Sequence, residues 1–321
     1  MQDRLTVLVT GASGFLGLHL CQHLLAQGYR VKAVSRGADF ALTHENLTHH
    51  HVESIDGKTS WLGILDGVSV VVHLAARVHH MNDRKMKALS AYQEVNVKGT
   101  QQLVRQAVKH HVSRFLYIST IKVNGEKTFE MPFRADDQPQ PQDAYSLSKL
   151  QGEKILQEEA RRQGMEWVII RPPLIYGPEV KGNFKQLIKL AKTAYPLPLR
   201  SIKNQRSLVS VFNLVSFIEC CLSHQNAQRE VFLVSDNEDL STPGLIRALR
   251  KAMGKRSGLF PFPVFLLKLL GLVTGKKRQL ERLTESLQVN IEKSMRLLSW
   301  RPPYSIEEAL KMTVEGSQRL K

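Results

Sequence analysis

LTVLVTGASGFLG, from Leu5 to Gly17, decides the fold. Leu5–Thr10 is an apolar run of strand length, and the segment from Phe15 to Gln27 has the spacing of a helix that ends near Gly28. Gly11, Gly14 and Gly17 sit between them. Gly11 permits the tight turn, Gly14 leaves backbone open to a phosphate, and Gly17 lets helix pack closely on strand. The free N–H groups and positive dipole end of the new helix then suit a pyrophosphate. In this strand–turn–helix setting the glycines read as a dinucleotide-binding turn, with Ser13, Phe15 and Leu16 beside the phosphates.

Outward from that turn the chain alternates. Strand patterns cover Tyr29–Ser35, Leu47–Glu53, Val68–Ala75, Arg114–Thr120 and Trp167–Ile170, and helical patterns cover Ala88–His110 and Asp143–Gln163. Such repetition implies βαβ units and an α/β fold with a Rossmann-like, doubly wound parallel sheet. Residues 1–171 are expected to form the nucleotide-binding domain. Past Pro172 the alternation fails and proline-rich segments interleave with helices. Residues 172–321 therefore read as a smaller, mixed substrate-binding lobe, with Arg229–Ser235 returning to the main sheet.

The 321 residues are 42% hydrophobic and carry a formal charge of +16. That charge calls for an anionic partner or a solvated surface, but no nucleic-acid recognition motif accompanies it. Cys21, Cys220 and Cys221 make neither a disulfide framework nor a zinc pair, which points to a reducing cytoplasm. No secretory signal pattern is expected, since residues 5–10 lead straight into the glycine turn. Leu259–Gly275, LFPFPVFLLKLLGLVTG, is interrupted by two prolines and Lys268 and is too short to span a bilayer. It reads as a helix packed in the C-terminal lobe. Because Lys276, Lys277 and Arg278 follow, peripheral contact with an anionic membrane is the alternative. The run His49-His50-His51 reads as a polar loop rather than a metal site. His79 and His80, past the fourth strand, are placed nearer the crevice, either touching substrate or in a solvated loop.

Two features bear on chemistry. The second strand ends Val34-Ser35-Arg36, where an NAD site usually carries an acid for the ribose hydroxyls. A guanidinium there can grip a 2′-phosphate, so Ser35 and Arg36 favour NADP, with NAD still open. Tyr145 and Lys149 lie four residues apart at the start of a helix and share a face. A neighbouring ammonium favours the phenolate, so the pair can move the proton of a carbinol while a nicotinamide carries the hydride. Ser119 and Thr120 end the preceding strand, where hydroxyls enter the same crevice.

Taken together, TGASGFLG, HLAA (His73–Ala76), Asn96, STIKVNG (Ser119–Gly125), YSLSK and RPPLIYGP (Arg171–Pro178) resemble the extended short-chain dehydrogenase/reductases, the NAD-dependent epimerase/dehydratase family. The resemblance implies Thr120, Tyr145 and Lys149 as catalytic residues. It lines the cofactor groove with Ile55, Leu74, Ala75, Ala76, Asn96, Ser119 and Pro172. It assigns a substrate diphosphate to Asn183, the backbone of Phe184, Arg206 and Arg282, with Lys122 also beside the substrate. Leu174 and Ser54 depart from the family pattern, the first at a substrate contact and the second near the adenine. The subgroup it looks nearest to suggests an NADP-dependent reductase acting at C4 of a UDP-linked 4-keto-6-deoxy-N-acetylhexosamine in polysaccharide synthesis. A UDP-sugar 4-epimerase with tightly bound NAD is the alternative, and a redox-silent dinucleotide-binding scaffold is the alternative from another class. The resemblance also implies a homodimer.

Overall fold

β1 (Thr6–Thr10), β2 (Arg30–Ser35), β3 (Leu47–His51), β4 (Val70–His73), β5 (Arg114–Ile118) and β6 (Glu166–Arg171) come first along the chain. β7 (Leu174–Tyr176), β8 (Arg206–Ser210), β9 (Glu230–Leu233) and β10 (Asp239–Leu240) follow. The computed structural model describes residues 5–37, 39–78, 85–275 and 277–316. Seven strands make one parallel sheet in the order β3-β2-β1-β4-β5-β6-β9, and β10-β8-β7 make a small mixed sheet. The sheet is Rossmann-like and doubly wound: the order runs outward from β1 in both directions, which opens a crevice at the carboxyl ends of β1 and β4.

The first-half helices are α1 (Phe15–Ala26), α2 (Lys85–Tyr92), α3 (Thr100–Lys109) and α4 (Ala144–Gln163). β4 and β5 are buried at every residue because helices cover both sheet faces, and alternate side chains feed the two layers. Val7, Val9, Leu116 and Ile170 meet Leu20 and Leu24 of α1 on one face. Leu8, Phe115, Tyr117 and Ile169 meet Leu103 of α3 and Leu156 of α4 on the other.

The helix expected over Ala88–His110 runs unbroken as α2 and α3, joined by a π-helical segment, Gln93–Gly99. In this segment Asn96 is buried and Gly99 is seated against the loop after β3, where a Cβ would lie 2.9 Å from Ile55 O.

The remaining helices are α5 (Gly182–Lys192), α6 (Val211–Ser223), α7 (Thr242–Ala252), α8 (Val264–Val273), α9 (Lys277–Thr284), α10 (Glu292–Leu298) and α11 (Ile306–Gly316). α5, α7 and α11 share a separate core through Phe184, Ile188, Ile246, Leu249 and Leu310. Arg250 is buried there, and its guanidinium bonds the carbonyls of Ala191, Thr193, Tyr195, Ser257 and Gly258, tying two loops to α7.

Two expectations need correction. His49, His50 and His51 are not in a loop but in β3, at the sheet edge, where His49 stacks on Phe40 at 5.0 Å and bonds Ser35 at 2.9 Å. The apolar segment around α8 is not packed inside the lobe. Only Leu267 and Gly271 of α8 are buried, and five of its large apolar residues face solvent. No helix among the described residues is long and apolar enough to cross a membrane.

Candidate active site

At the glycine turn, two of the three glycines are demanded by sterics. Gly11 has φ +68°, and a Cβ on it would lie 2.9 Å from Ala75 N. A Cβ on Gly17 would approach Gly11 O to 2.3 Å, so helix and strand could not meet. Gly14 has an ordinary extended backbone and caps α1 without a side-chain bond; its contribution is an open approach to the first-turn N–H groups. No acid occupies that first turn, so the residues present fit a pyrophosphate.

The groove wall after β4 is held by one continuous chain of hydrogen bonds. Ala75 N–H donates to Thr10 Oγ1 at 3.3 Å, and Thr10 lies 2.7 Å from His73 Nδ1. His73 Nε2 is 3.1 Å from Thr100 Oγ1, whose own proton goes to Asn96 O. Thr100 must therefore accept from His73, which assigns the Nε2–H tautomer. Burial, helped by the charge of Lys149, lowers the His73 pKa to about 3, so the ring stays neutral. Leu74, Ala75 and Ala76 are half-buried beyond it, and Ile55 and Pro172 are buried.

Asn96 is 1% exposed and joins this wall to α4. Its amide bonds both backbone groups of Arg77 and the Ser148 hydroxyl at 2.9 Å, while Ser148 donates to Tyr145 O. α4 itself begins with a reciprocal cap between Asp143 and Ser146, which fixes the turn that presents Tyr145. Lys149 follows one turn later, 1% exposed, with its Nζ 3.9 Å from the Tyr117 ring centroid. Burial lowers the Lys149 pKa to about 7, against the opposing charge of Glu153. Burial raises the Tyr145 phenol above its usual range, with Asp143 and Tyr92 adding to the shift.

Ser119 Oγ is buried with no hydrogen-bond partner among the described residues. Thr120 caps the short turn Ile121–Val123, accepting from Lys122 N at 3.4 Å. Lys122 Nζ is held by Glu126 at 2.8 Å and by Asp143 at 2.7 Å.

In the second lobe, Asn183, Arg206 and Arg282 come together from three separate elements. Arg206 donates to Arg282 O at 3.0 Å, and Arg282 Nη1 lies 3.5 Å from Asn183 Oδ1. Burial and the Arg282 charge lower the Arg206 pKa, with Glu285 opposing. The Arg206 and Arg282 guanidinium groups thus lie near each other and near Asn183, with Glu285 acting on Arg206. The side chain of Phe184 is buried against Tyr176 at 5.0 Å, which leaves its backbone as the part that can reach a ligand.

The NAD dependent epimerase/dehydratase family matches residues 7–235. The chain belongs to that family. It is 42% identical over 314 residues to a UDP-glucose 4-epimerase of Vibrio cholerae, covering 97% of this chain and 95% of the relative. It is 28% identical over 283 residues to an N-acetyl-alpha-D-glucosaminyl-diphospho-ditrans,octacis-undecaprenol 4-epimerase of Escherichia coli O157:H7, covering 84% and 81%. Among solved structures it is similar to a UDP-glucuronic acid 4-epimerase of Bacillus cereus in complex with NAD, at TM-score 0.78, 24% identity, and 98% and 97% coverage. The chain is an enzyme of this family acting on nucleotide sugars, as its sequence motifs also imply.

Two further carboxylates, Glu153 and Asp56, lie outside those motifs. Glu153 takes two hydrogen bonds from Arg171, at 3.0 and 2.6 Å, and both are buried while Asn124 holds the third guanidinium nitrogen. Glu153 follows Lys149 at i+4 on α4, a spacing that could have drawn attention to it. Asp56 supplies a carboxylate two residues after Ser54, held by Ser54 at 2.5 Å and by Lys58 N. Arg36 is exposed, whereas the Ser35 hydroxyl is already shared between Gly37 O and His49. His79 and His80 lie outside the described residues.

Proposed function

We propose that the protein is a UDP-sugar 4-epimerase that keeps NAD bound through the catalytic cycle. The observation that supports it most is the near full-length match, at 42% identity, to a UDP-glucose 4-epimerase, a protein of the same extent as this chain. The NAD carried by the similar epimerase structure supports the choice of cofactor. This reading favours the epimerase over the reductase expected from Arg36.

When bound, NAD supplies a hydride acceptor and donor at C4 of the sugar. Tyr145 then holds or releases the proton of the C4 oxygen. Its raised pKa keeps the phenol protonated when nothing else is bound, so it needs the ammonium of Lys149 to reach the phenolate. Lys149 sits near its midpoint at about 7, so a modest added stabilisation by an anionic or hydroxylated ligand charges it. Ser119 and Thr120 provide hydroxyls for the reacting oxygen, Ser119 with its hydrogen-bonding capacity unused. Asn183, Arg206 and Arg282 hold the diphosphate while the sugar, freed at C4, turns its other face inward.

The test is to incubate purified protein with UDP-glucose and with UDP-N-acetylglucosamine, no cofactor added, and follow the C4 configuration by NMR. Interconversion by wild type and its loss in Tyr145→Phe, with NAD released on denaturation, supports the reading. Stoichiometric consumption of added NADPH by a UDP-4-ketosugar, without interconversion of either UDP-sugar, refutes it in favour of the reductase. Tight dinucleotide binding with no turnover of any of these refutes both in favour of a scaffold.

A further inference from the structure

The net charge of this protein is not spread over it. Residues 180–218 and 240–280 contain sixteen Lys and Arg and no Asp or Glu. All 29 acidic residues, and the other 29 of the 45 basic ones, lie elsewhere, so the whole excess of +16 belongs to these two stretches. They build α5, α7, α8 and the start of α9, the lobe around the third core. A nucleotide-sugar diphosphate needs two or three of these cations, and the active site leaves the rest unused.

The same lobe displays an apolar ridge that nothing among the described residues covers. On α8, Phe265, Leu269, Leu272 and Val273 are 69, 54, 62 and 79% exposed. Their spacing, i, i+4, i+7, i+8, places them on one face. The opposite face is the packed one, with Leu267 buried and Gly271 against Leu280, where a Cβ would lie 2.6 Å from that side chain. Lys268 stands exposed within the ridge, and Lys277 opens the following helix. Phe260 and Tyr195, also exposed, lie on two segments paired through Leu197, Gly258 and Phe260 that lead into α8.

We propose that this face docks the protein on an anionic phospholipid bilayer, with α8 lying in the plane of the interface. Ten residues of helix extend about 15 Å, half of a bilayer core, so α8 rests in the surface without crossing it. Apolar side chains enter the acyl boundary while lysines meet lipid phosphates, the arrangement of an interfacial helix. A second copy is the poorer occupant, because Glu281 and Glu307 already pair with Lys277 and Lys251, and a symmetric contact would set a cation-rich surface against itself. α9 packs on α8 and carries Arg282 to the Asn183–Arg206 cluster, so the docking ridge and the diphosphate site are joined through one helical hairpin.

The experiment is co-sedimentation of the full chain with vesicles of phosphatidylglycerol and phosphatidylcholine, against phosphatidylcholine alone. Wild type should bind the anionic vesicles and not the neutral ones. Leu269→Glu/Leu272→Glu should lower that binding by about tenfold or more, and Lys268→Glu/Lys277→Glu by a similar factor. Both double variants change exposed residues, so circular dichroism and UDP-sugar turnover without vesicles should match wild type. Failure of wild type to bind anionic vesicles overturns the proposal, and so does equal binding by both folded variants. Sedimentation equilibrium supplies the other arm: if Leu269→Glu/Leu272→Glu dissociates an oligomer, a second copy covers the ridge and the bilayer proposal falls. None of these outcomes depends on the sugar the active site accepts.

Discussion

Gly152 is a helix-interior glycine, and helix propensity alone says that Gly152→Ala should stabilise α4 by about 1 kcal/mol. The structure says the reverse. A Cβ there would lie 2.3 Å from Tyr117 Oη, 2.9 Å from Tyr117 Cζ and 3.2 Å from Asn96 O. Tyr117 cannot yield by swinging aside: it is buried, stacked on His73 at 5.7 Å, and covered by Lys149 Nζ. α4 must lift off β5, and overpacking of this kind costs about 1–3 kcal/mol, which outweighs the propensity gain. The expected net result is a destabilisation of about 1 kcal/mol.

The larger effect falls on activity, since the face that lifts carries Tyr145, Ser148 and Lys149. A displacement approaching 1 Å can lower kcat/KM by about 10²-fold. Urea unfolding followed by tryptophan fluorescence, together with a coupled UDP-sugar assay, measures both. Tyr117→Phe removes the atom in closest contact, so the double variant Gly152→Ala/Tyr117→Phe should recover part of the loss. A single variant that is more stable than wild type and fully active would show that α4 and β5 do not approach this closely, and the reasoning would fail.

Glu153→Gln leaves Arg171 buried with no carboxylate, so destabilisation of about 3–5 kcal/mol is expected in chemical denaturation. It also removes the charge that supports the Lys149 ammonium, so any ionisation near pH 7 in the rate profile should move to lower pH. Arg206→Ala should raise KM for the UDP-sugar with kcat nearly unchanged, because a diphosphate grip is uniform binding; a fall in kcat alone in steady-state kinetics would refute that role. His73 stays neutral in the folded chain down to about 3, whereas the unfolded chain takes up its proton near 6.5. Stability tied to that neutral ring is therefore lost as pH falls through this window, by ~1.4 kcal/mol per unit of pH. The stability difference between wild type and the non-titrating His73→Gln should shrink by about 3 kcal/mol from pH 6.5 to 4, measured by urea titration at each pH.

What could be read from the sequence divides along a physical line. Gly11 and Gly17 are legible because backbone sterics permit nothing else there, and the parallel sheet is legible because doubly covered strands must be apolar throughout. Tyr145 and Lys149 are legible because a helix converts their spacing into a shared face. Asn183, Arg206 and Arg282, distant in sequence, were placed by resemblance, and the fold does bring them together. The exposure of α8 was not legible. An apolar helix in a core and one on an interface have the same composition, and only the absence of a covering element among the described residues distinguishes them.

Thr10, His73, Asn96, Ser148 and Arg171 lie in recognisable motifs, but their pairing around Tyr145 and Lys149 is not legible, and the reason is separation. Thr10 and His73 are 63 residues apart, Asn96 and Ser148 are 52, and Glu153 and Arg171 are 18. Each of these groups is individually ordinary, and each becomes obligatory only when the sheet order sets its partner beside it. β4 lies between β1 and β5, which puts His73 between Thr10 and Tyr117. β6 lies beside β5, which carries Arg171 under α4 to meet Glu153. The Tyr145–Lys149 pair is thus encoded in one turn of helix, while the protonation state of Lys149 and the neutrality of His73 are set by strand order. A variant that leaves the motif intact but alters Thr10, Thr100 or Asn124 should therefore disturb the same reaction from a distance.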